Sequence, residues 1–351
     1  MEIIIDKADK GGTILIYPPE LATEKIKEKV MDNNLYEKMN KDPSIDIYDK
    51  LIQLWIEGKR LKFITEEEGV KVIGLTKNNT KSTCSIYKPG ETYFNPSLKI
   101  HKMEVDDIKP GCNPPARLIT CLQDGVMSRN DIFIANKWLK ELQEEFCSDI
   151  VQDSLEVLRW LDRIDYENDS ELKKKFKPFT FDFASLYDSL TPVLVKEAIN
   201  YAIQRYKLHW EQNFIKWLLD IIDLSLSAGF GKFQDKWYRP KTGIPTGGNI
   251  SVQLANIAVF YALYNCLFSD EIMMEEIVST IRFIDDGSGI YKGTEEEFVI
   301  WKLELTTRLK RFNLTIKDED WDIALQLGET VHILDIKFGF DENGTLMRFI
   351  P

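Results

Sequence analysis

Two adjacent aspartates, Asp285 and Asp286, stand in the segment RFIDDGSGIY at 282–291. Strand-forming residues flank the two acids and the glycines that follow them, Gly287 and Gly289. This pattern predicts a β-hairpin whose glycine-rich turn carries the acids. A solvated turn is the ordinary role of such a pair. An EF-hand calcium loop is excluded, because it needs a glycine where Ile290 stands. Since adjacent like charges repel, the hairpin also predicts a metal site.

A third acid has a similar frame in FKPFTFDFASLYDSLTP at 176–192. Phenylalanines alternate with Thr180 and Asp182, which predicts a strand that presents Asp182 on its polar side, with Ser189 or Thr191 capping the next helix. A strand-end aspartate with no ligand is the alternative. If Asp182 faced Asp285 across a sheet, the acids could hold two Mg²⁺ ions ~3.5–4 Å apart, as in phosphoryl transfer.

Composition limits the partners of this chain. Its 351 residues are 44% hydrophobic and 29% charged, enough for one large domain or for two or three lobes. The net charge is −12 and the isoelectric point is near 5.0. That balance disfavours tight, non-specific binding to nucleic acid. It still permits a groove lined locally by Lys and Arg.

Cysteine spacing and apolar runs indicate an intracellular protein, in the nucleus or the cytoplasm. The five cysteines are odd in number and form no CxxC pair, so neither a disulfide framework nor a structural zinc site is expected. The N-terminus lacks the basic region of a secretory signal. The apolar stretch at 257–268 is short of the ~20 residues of a membrane span. We therefore predict a buried helix there and no membrane partner.

Helical and strand-like patterns are mixed without strict alternation, which predicts an α+β fold. Strand pairs are predicted at 1–17 and 229–240, and a last hairpin turns at Asn343 and Gly344. Helices are predicted at 20–39, 46–57, 192–226 and 294–312, with two more between 132 and 164, and a glycine-rich turn leading into a helix is predicted at 243–268. Single strands are predicted at 178–184 and 314–317. The basic segment 84–122 is expected to be rich in loops.

Several motifs together resemble those of reverse transcriptases. FTFDFASLY, GIPTGGNISVQLANI and FIDD are similar to the palm motifs, in the family's order. The closer resemblance is to the Penelope-like element reverse transcriptases. It is carried by KADKGG at 7–12, LYEKMNKDP at 35–43, LKIHK at 98–102, NPPARLI at 113–119 and HILDIKF at 332–338. The resemblance covers nearly the whole chain, and the occurrence of these motifs in the family's order makes it specific.

The resemblance implies a catalytic triad at the acids. Asp182 matches the first metal-binding aspartate of the family, and Asp285 and Asp286 match the doublet at the tip of a palm hairpin. Together with Phe183, which directly follows Asp182, they are the expected ligands of two Mg²⁺ or Mn²⁺ ions. Lys317 is expected to be the lysine that protonates the pyrophosphate leaving group.

The resemblance also implies the residues that bind the nucleotide and the template. Tyr187 matches the steric gate, which disfavours a 2′-hydroxyl; a core aromatic is its alternative role. Glycines in GIPTGG allow close approach of backbone to a ligand. Arginine suits a triphosphate because of its planar fork. The expected nucleotide-binding residues are Lys10, Arg117, Tyr187, Thr246 and Gly247, and the expected nucleic-acid-binding residues are Lys99, Lys102 and Asn249.

The implied architecture is a right-hand polymerase with an antiparallel palm sheet backed by helices. Fingers are expected in 1–175 and the palm in 176–351, with a helical fingers-type insertion at about 192–240. No segment resembles a thumb or an endonuclease, so we expect low processivity, a homo-oligomer or a separate subunit. The expected substrates are dNTPs and an RNA or DNA template with its primer.

Two alternatives remain open on the sequence. An RNA-dependent RNA polymerase or a terminal nucleotidyltransferase could use the same acids. A domesticated, non-catalytic binding or assembly protein would suit the acidic isoelectric point, but the three intact aspartates disfavour it.

Overall fold

The structure is a computed structural model that describes residues 3–8, 13–73, 90–100, 103–109 and 111–350. The strands of these residues are, in chain order, β1 (Ile4–Lys7), β2 (Ile14–Tyr17), β3 (Tyr36–Met39), β4 (Tyr93–Leu98), β5 (Ala116–Cys121), β6 (Phe176–Asp182), β7 (Gly231–Phe233), β8 (Lys236–Pro240), β9 (Ile277–Phe283), β10 (Asp286–Lys292), β11 (Trp321–Ile323), β12 (Thr330–Ile333), β13 (Ile336–Phe340) and β14 (Leu346–Phe349).

The α-helices of the same residues are α1 (Pro19–Val30), α2 (Ser44–Arg60), α3 (Glu66–Ile73), α4 (Ser128–Ile134), α5 (Lys140–Phe146), α6 (Ser154–Glu167), α7 (Ser170–Lys173), α8 (Leu186–Ser189), α9 (Pro192–Tyr206), α10 (Gln212–Ser227), α11 (Ser251–Leu263), α12 (Glu271–Met274) and α13 (Glu295–Leu309). The chain is therefore mixed α and β, which confirms the predicted fold class at that level.

The chain divides into two compact units, and each unit is discontinuous in sequence. Unit 1 contains residues 1–140 and 209–251, and unit 2 contains residues 141–208 and 252–351. Unit 1 holds a two-stranded sheet, β1-β2, and a five-stranded sheet in the order β3-β8-β7-β4-β5. The larger sheet is mixed, since β4 and β7 run parallel and its other pairs are antiparallel.

Unit 2 holds an antiparallel four-stranded sheet in the order β11-β6-β10-β9 and a three-stranded sheet in the order β12-β13-β14. Aromatic rings pack between the larger sheet and α13. Phe179 of β6 lies 5.5 Å from Phe298 and 5.3 Å from Trp301, both on α13, measured between ring centroids. Capping starts that helix, because the Thr294 hydroxyl accepts a hydrogen bond from the Glu297 amide and the Glu297 carboxylate accepts one from the Thr294 amide. The sheet is thus anchored on a helix that begins at a defined residue.

The apolar helix α11 is buried, as predicted. It continues as a π-helical turn through Tyr264–Phe268, and the resulting 18 residues are long and apolar enough to span a membrane. However, 67% of that segment is buried inside the protein. Core helices of globular proteins have the same composition.

Three predicted elements differ from the structure. The helix predicted at 20–39 ends at Val30, since residues 36–39 form β3 and pair with β8. The helix predicted at 192–226 is two helices, α9 and α10. Residues 314–317 form no strand, although the Thr315 carbonyl accepts a hydrogen bond from the Ala184 amide at 2.9 Å. Segment 84–122 lies partly outside the described residues, and its described part contains the strand pair β4–β5 and loops, as predicted. The predicted hairpins at 229–240 and at Asn343 and Gly344 are confirmed.

Candidate active site

Three carboxylates meet in unit 2 where β6 ends and β10 begins. Asp286 is the first residue of β10 and lies directly opposite Asp182, the last residue of β6. Asp285 belongs to the turn that precedes β10. One oxygen from each of the three can be chosen so that all lie within 4.8 Å of one another. All three residues are half-buried. The structure thus brings together the acids that the sequence placed in separate motifs.

Tight packing between β6 and β10 sets this arrangement. Gly287 pairs with Phe181 and Gly289 with Phe179 across the strands. A Cβ atom on Gly287 would lie 2.2 Å from Cζ of Phe181, and one on Gly289 would lie 2.5 Å from Cζ of Phe179. The prediction that both glycines belong to the turn is therefore wrong. They are strand residues, and their lack of a Cβ atom makes room for two aromatic rings of β6.

The turn between β9 and β10 has a strained backbone. Phe283 pairs with Asp286, so only Ile284 and Asp285 connect the strands. Ile284 has φ of 54°, in the left-handed region that a β-branched residue rarely adopts. Ser185, just after β6, has φ of 50°. Such conformations cost about 1–3 kcal/mol each and persist where surrounding contacts enforce them.

The donor set fits a divalent cation. Two unit charges 4.8 Å apart repel by about 3 kcal/mol at an effective dielectric constant of about 20, so three carboxylates this close favour a cation between them. Asp182 makes other polar contacts, but its Oδ1 atom is buried and accepts no hydrogen bond from the part of the chain that the structure describes. Carboxylate oxygens are the ligands that Mg²⁺ and Mn²⁺ prefer.

Three other predicted site residues belong to unit 2. The Phe183 amide donates a hydrogen bond to the Asp285 carbonyl at 3.3 Å, which ties the segment after β6 to the turn. Tyr187 is half-buried on the short helix α8. Lys317 is exposed, and its Nζ atom lies 3.5 Å from Oε1 of Glu319. The catalytic and nucleotide-binding roles of these three residues stay predictions.

The glycine-rich turn at 243–248 packs against β5 within unit 1. The Thr246 carbonyl accepts a hydrogen bond from the Thr120 amide at 2.9 Å. Gly247 has φ of 98°, and a Cβ atom there would lie 2.5 Å from the Thr120 carbonyl oxygen. No other residue fits at that position without moving β5. Helix α11 begins at Ser251, three residues beyond Gly248.

The remaining predicted cations and amide belong to unit 1 or lie outside the described residues. Arg117 is half-buried on β5. Lys99 follows β4, and its amide donates to the Pro115 carbonyl at 2.7 Å. The side-chain amide of Asn249 donates to the Ser128 hydroxyl at 3.2 Å. Lys10 and Lys102 lie outside the described residues. The binding roles of all five stay predictions.

Sequence reasoning missed a buried charge beside the doublet. Arg282, in β9, has only 1% of its side chain exposed and forms an ion pair with Asp149 at 3.0 Å. Its signal in the sequence is a cation between Ile281 and Phe283 within an apolar strand. The partner could not be found, because it lies 133 residues earlier in the chain.

Comparisons with known proteins agree on a fold. No family model matches the chain, and no curated protein matches it. Solved structures of telomerases do. A telomerase from Candida albicans, in complex with a TWJ fragment of telomeric RNA, has a TM-score of 0.65 at 11% identity, covering 99% of this chain and 54% of that one. Apo telomerase from Candida tropicalis has a TM-score of 0.64 at 11% identity, covering 99% and 56%.

A third structure leads to the same result. Apo telomerase from Candida tropicalis, truncated from its C-terminal domain, has a TM-score of 0.62 at 11% identity and covers 98% of this chain and 63% of that one. The chain shares its fold with these telomerases. Telomerases are reverse transcriptases, so the neighbours have a polymerase fold. The chain spans between 54% and 63% of their length.

Proposed function

We propose that the chain is a template-directed nucleotidyltransferase, specifically an RNA-directed DNA polymerase of the Penelope-like branch. One observation carries the proposal: Asp182, Asp285 and Asp286, which match the catalytic motifs in order, have ligand oxygens within 4.8 Å of one another. The fold shared with telomerases supports the reaction class. The motifs KADKGG and NPPARLI support the branch.

The three aspartates would hold the metal in this reaction. When bound, two Mg²⁺ or Mn²⁺ ions would activate the primer 3′-hydroxyl and neutralise charge on the leaving pyrophosphate. The chain contributes rigidity, since Asp182 and Asp286 are fixed opposite each other on paired strands. Ligands on strands hold their geometry better than ligands on loops.

Other residues would bind and orient the nucleotide. We assign Arg117 and Lys10 to the triphosphate, because guanidinium and ammonium groups donate hydrogen bonds to phosphate oxygens. Tyr187 would pack beneath the sugar and disfavour a 2′-hydroxyl, which selects dNTPs. Thr246 and Gly247 would lie beside the base pair. Lys317 would donate a proton to the leaving pyrophosphate.

Template and primer would bind through local basic residues, for which we propose Lys99, Lys102 and Asn249. Although the protein as a whole carries a net charge of −12, contacts between basic side chains and phosphate release counterions, so binding should weaken with salt. We also propose an intracellular location, which is supported by the four free cysteines of the described residues.

Primer extension on an RNA template tests this function. The reaction would contain Mg²⁺ or Mn²⁺ and either dNTPs or rNTPs, and would compare the unaltered protein with Asp285→Asn and Asp335→Asn. Asp335 is the matched control, because it occupies the same place in another hairpin turn but is exposed. We expect dNTP incorporation that falls at least about 100-fold in Asp285→Asn, since even indirect metal-site partners cost 10–100-fold, and that stays unchanged in Asp335→Asn.

Other results would favour the alternatives. Incorporation of rNTPs in preference to dNTPs would indicate an RNA polymerase or a terminal nucleotidyltransferase and would overturn the role of Tyr187. No incorporation, together with no binding of Mn²⁺ or nucleic acid at low salt, would indicate a non-catalytic protein with a polymerase fold.

A further inference from the structure

Arg282 is the most heavily hydrogen-bonded buried side chain near the doublet. Its Nε atom donates to Oδ2 of Asp149 at 3.0 Å, and Nη2 donates to Oδ1 of Asp149 at 3.4 Å and to the Asn256 carbonyl at 3.2 Å. Its Nη1 atom donates to Oδ1 of Asn256 at 3.1 Å and to the Ile284 carbonyl at 2.8 Å. These five contacts match the five N–H donors of a guanidinium.

The shortest of these side-chain bonds goes to the turn that contains Asp285. The Ile284 carbonyl belongs to the peptide that joins Ile284 to Asp285, and Ile284 is the residue in the strained left-handed conformation. A charge-assisted hydrogen bond is stronger and more directional than a neutral one. Strained backbone persists only where neighbouring groups enforce it. The guanidinium therefore holds the peptide from which the Asp285 side chain projects.

The other end of the guanidinium is fixed to the core of unit 2. The Arg282 amide donates to the Asp149 carbonyl at 2.7 Å, and the Val151 amide donates to the Arg282 carbonyl at 2.9 Å, so the backbone is tied to segment 149–151 as well. Asp149 has 4% of its side chain exposed. An ion pair this buried, with each charge hydrogen-bonded, is a rigid support.

Asn256 connects the same network to helix α11. Its side-chain amide donates to Oε1 of Gln143 at 3.3 Å, and its carbonyl also accepts from the Cys147 thiol at 3.6 Å. Burial raises the pKa of that thiol, so it stays protonated and remains a donor. The chain of contacts thus runs from α5 and α11 through one arginine to the turn at 284–285.

We propose that Arg282 is a positioning residue for the metal site: it fixes the Ile284–Asp285 peptide so that the Asp285 and Asp286 carboxylates face Asp182. The inference rests on the proposed function only in that the three aspartates bind a divalent cation. Lysine cannot replace arginine here, because an ammonium has three donors and no planar fork to bridge Asp149, Asn256 and the turn. Asp149 and Asn256 act through Arg282, because both accept hydrogen bonds from its guanidinium.

Mn²⁺ binding, measured by electron paramagnetic resonance without nucleic acid, tests the proposal on the full chain. The unaltered protein should bind Mn²⁺, and Asp285→Asn should abolish that binding, which assigns it to the aspartates. Arg282→Lys should weaken Mn²⁺ affinity by about 10–100-fold, the effect of losing a partner that orients a ligand. Arg308→Lys is the matched control, since Arg308 also bridges an acid and a backbone carbonyl in unit 2 but is not part of this network. It should change the affinity less than about twofold.

Hydrogen exchange provides a second readout. In Arg282→Lys, amides of the peptide 283–287 should exchange faster, whereas those of the similar turn at 333–337 should not change. If Arg282→Lys does not fold, the same two measurements are made on the double variant Asp149→Leu with Arg282→Met. Replacing a buried pair by apolar residues of similar size preserves stability, yet the bond to the Ile284 carbonyl is lost.

Each outcome separates the two proposals. A folded Arg282 variant, single or double, that binds Mn²⁺ like the unaltered protein and shows unchanged exchange at 283–287 would overturn the positioning role. Absence of Mn²⁺ binding by the unaltered protein would overturn it together with the metal site. If the unaltered protein binds Mn²⁺ through its aspartates but extends no primer, the proposed polymerase function fails, while the role of Arg282 is decided by the Mn²⁺ and exchange data.

Discussion

Two hairpins of unit 2 have turns of the same length and similar conformation, but different residues surround the two turns. Ile284 and Asp285 connect β9 to β10, and Leu334 and Asp335 connect β12 to β13. The first connecting residue is left-handed in both turns, with φ of 54° and 51°. In each case an apolar residue adopts a costly conformation and an aspartate follows it at the tip.

The two hairpins differ in the residue that directly follows the turn. In the first it is Asp286, opposite Asp182, and in the second it is Ile336, which is fully buried. Asp335 is exposed, and its Oδ2 atom accepts a hydrogen bond of 3.5 Å from the Ser154 hydroxyl. The comparison teaches that the turn supplies only one acid. A metal site needs the second acid of the doublet and an acid on the neighbouring strand.

A buried aspartate in unit 1, Asp131, extends the comparison to an acid that stands apart from the cluster of three. We expect a proton, and not a cation, to neutralise its charge. Burial raises the pKa of Asp131 to about 7, although its Oδ1 atom accepts hydrogen bonds from Ser225 at 2.6 Å and Asn130 at 3.1 Å. The folded protein therefore keeps a proton that the unfolded chain releases at about pH 4. Its contribution to the free energy of unfolding should fall by roughly 3 kcal/mol as the pH rises from about 4 to about 7.

Urea unfolding at about pH 5 and about pH 8 measures this fall. Asp131→Asn should remove most of the difference between the two values, whereas Asp335→Asn, a substitution of an exposed residue in unit 2, should keep it. Equal pH dependence in the unaltered protein and Asp131→Asn would show that Asp131 is charged in the fold.

Substitution directly beyond the turn should break one hairpin and spare the other. Gly287→Ala forces the Phe181 ring to move, because the new Cβ atom would lie 2.2 Å from it. We expect a loss of about 2 kcal/mol in the free energy of unfolding, typical of overpacking. Lys337→Ala is the matched control, since Lys337 follows its turn at the same distance and is exposed. Equal losses in the two variants would mean that the glycine has no special role.

The smallest effect expected is a gain in stability without metal. Asp286→Asn removes one of three repelling charges and should raise the free energy of unfolding by about 1 kcal/mol in chelator, while Asp335→Asn should change it by less than about 0.5 kcal/mol. Mn²⁺ should then raise the melting temperature of the unaltered protein but not of Asp286→Asn. A lower stability of Asp286→Asn in chelator would show that Asp286 makes a net stabilising contact instead.

Local patterns predicted much of this fold, and their failures have a common cause. The hairpins at 277–292 and 336–349 follow from alternation and turn residues, which act between near neighbours. Residues 36–39 have a helical pattern but form β3, because they pair with a strand some 200 residues later; Glu37 and Arg239, joined across that pair, are 202 residues apart. The sequence predicts Gly287 in the turn, because a local pattern does not show that the ring of Phe181 packs against it in the sheet.

The sequence predicted the acidic residues of the candidate site, but not the contacts and backbone conformations that hold them in place. Three aspartates framed by strand patterns, together with the motif resemblance, predicted the cluster at Asp182, Asp285 and Asp286. Neither hydropathy nor spacing could predict that Arg282 meets Asp149 or that Ser185 and Ile284 are left-handed. These features depend on distant packing, which a local window does not contain.

The interleaving of the two units sets when the site can form as the chain is synthesised. Ser288 and Phe179, which are hydrogen-bonded beside the acids, are 109 residues apart, and residues 209–251 of unit 1 lie between them in the sequence. Strand β6 must therefore leave the ribosome without its central partner β10 and wait while part of another unit is made. Long-range strand pairing of this kind is slow and exposes unpaired edges. The nascent chain thus carries an unpaired, phenylalanine-rich strand until the segment with Asp285 and Asp286 emerges.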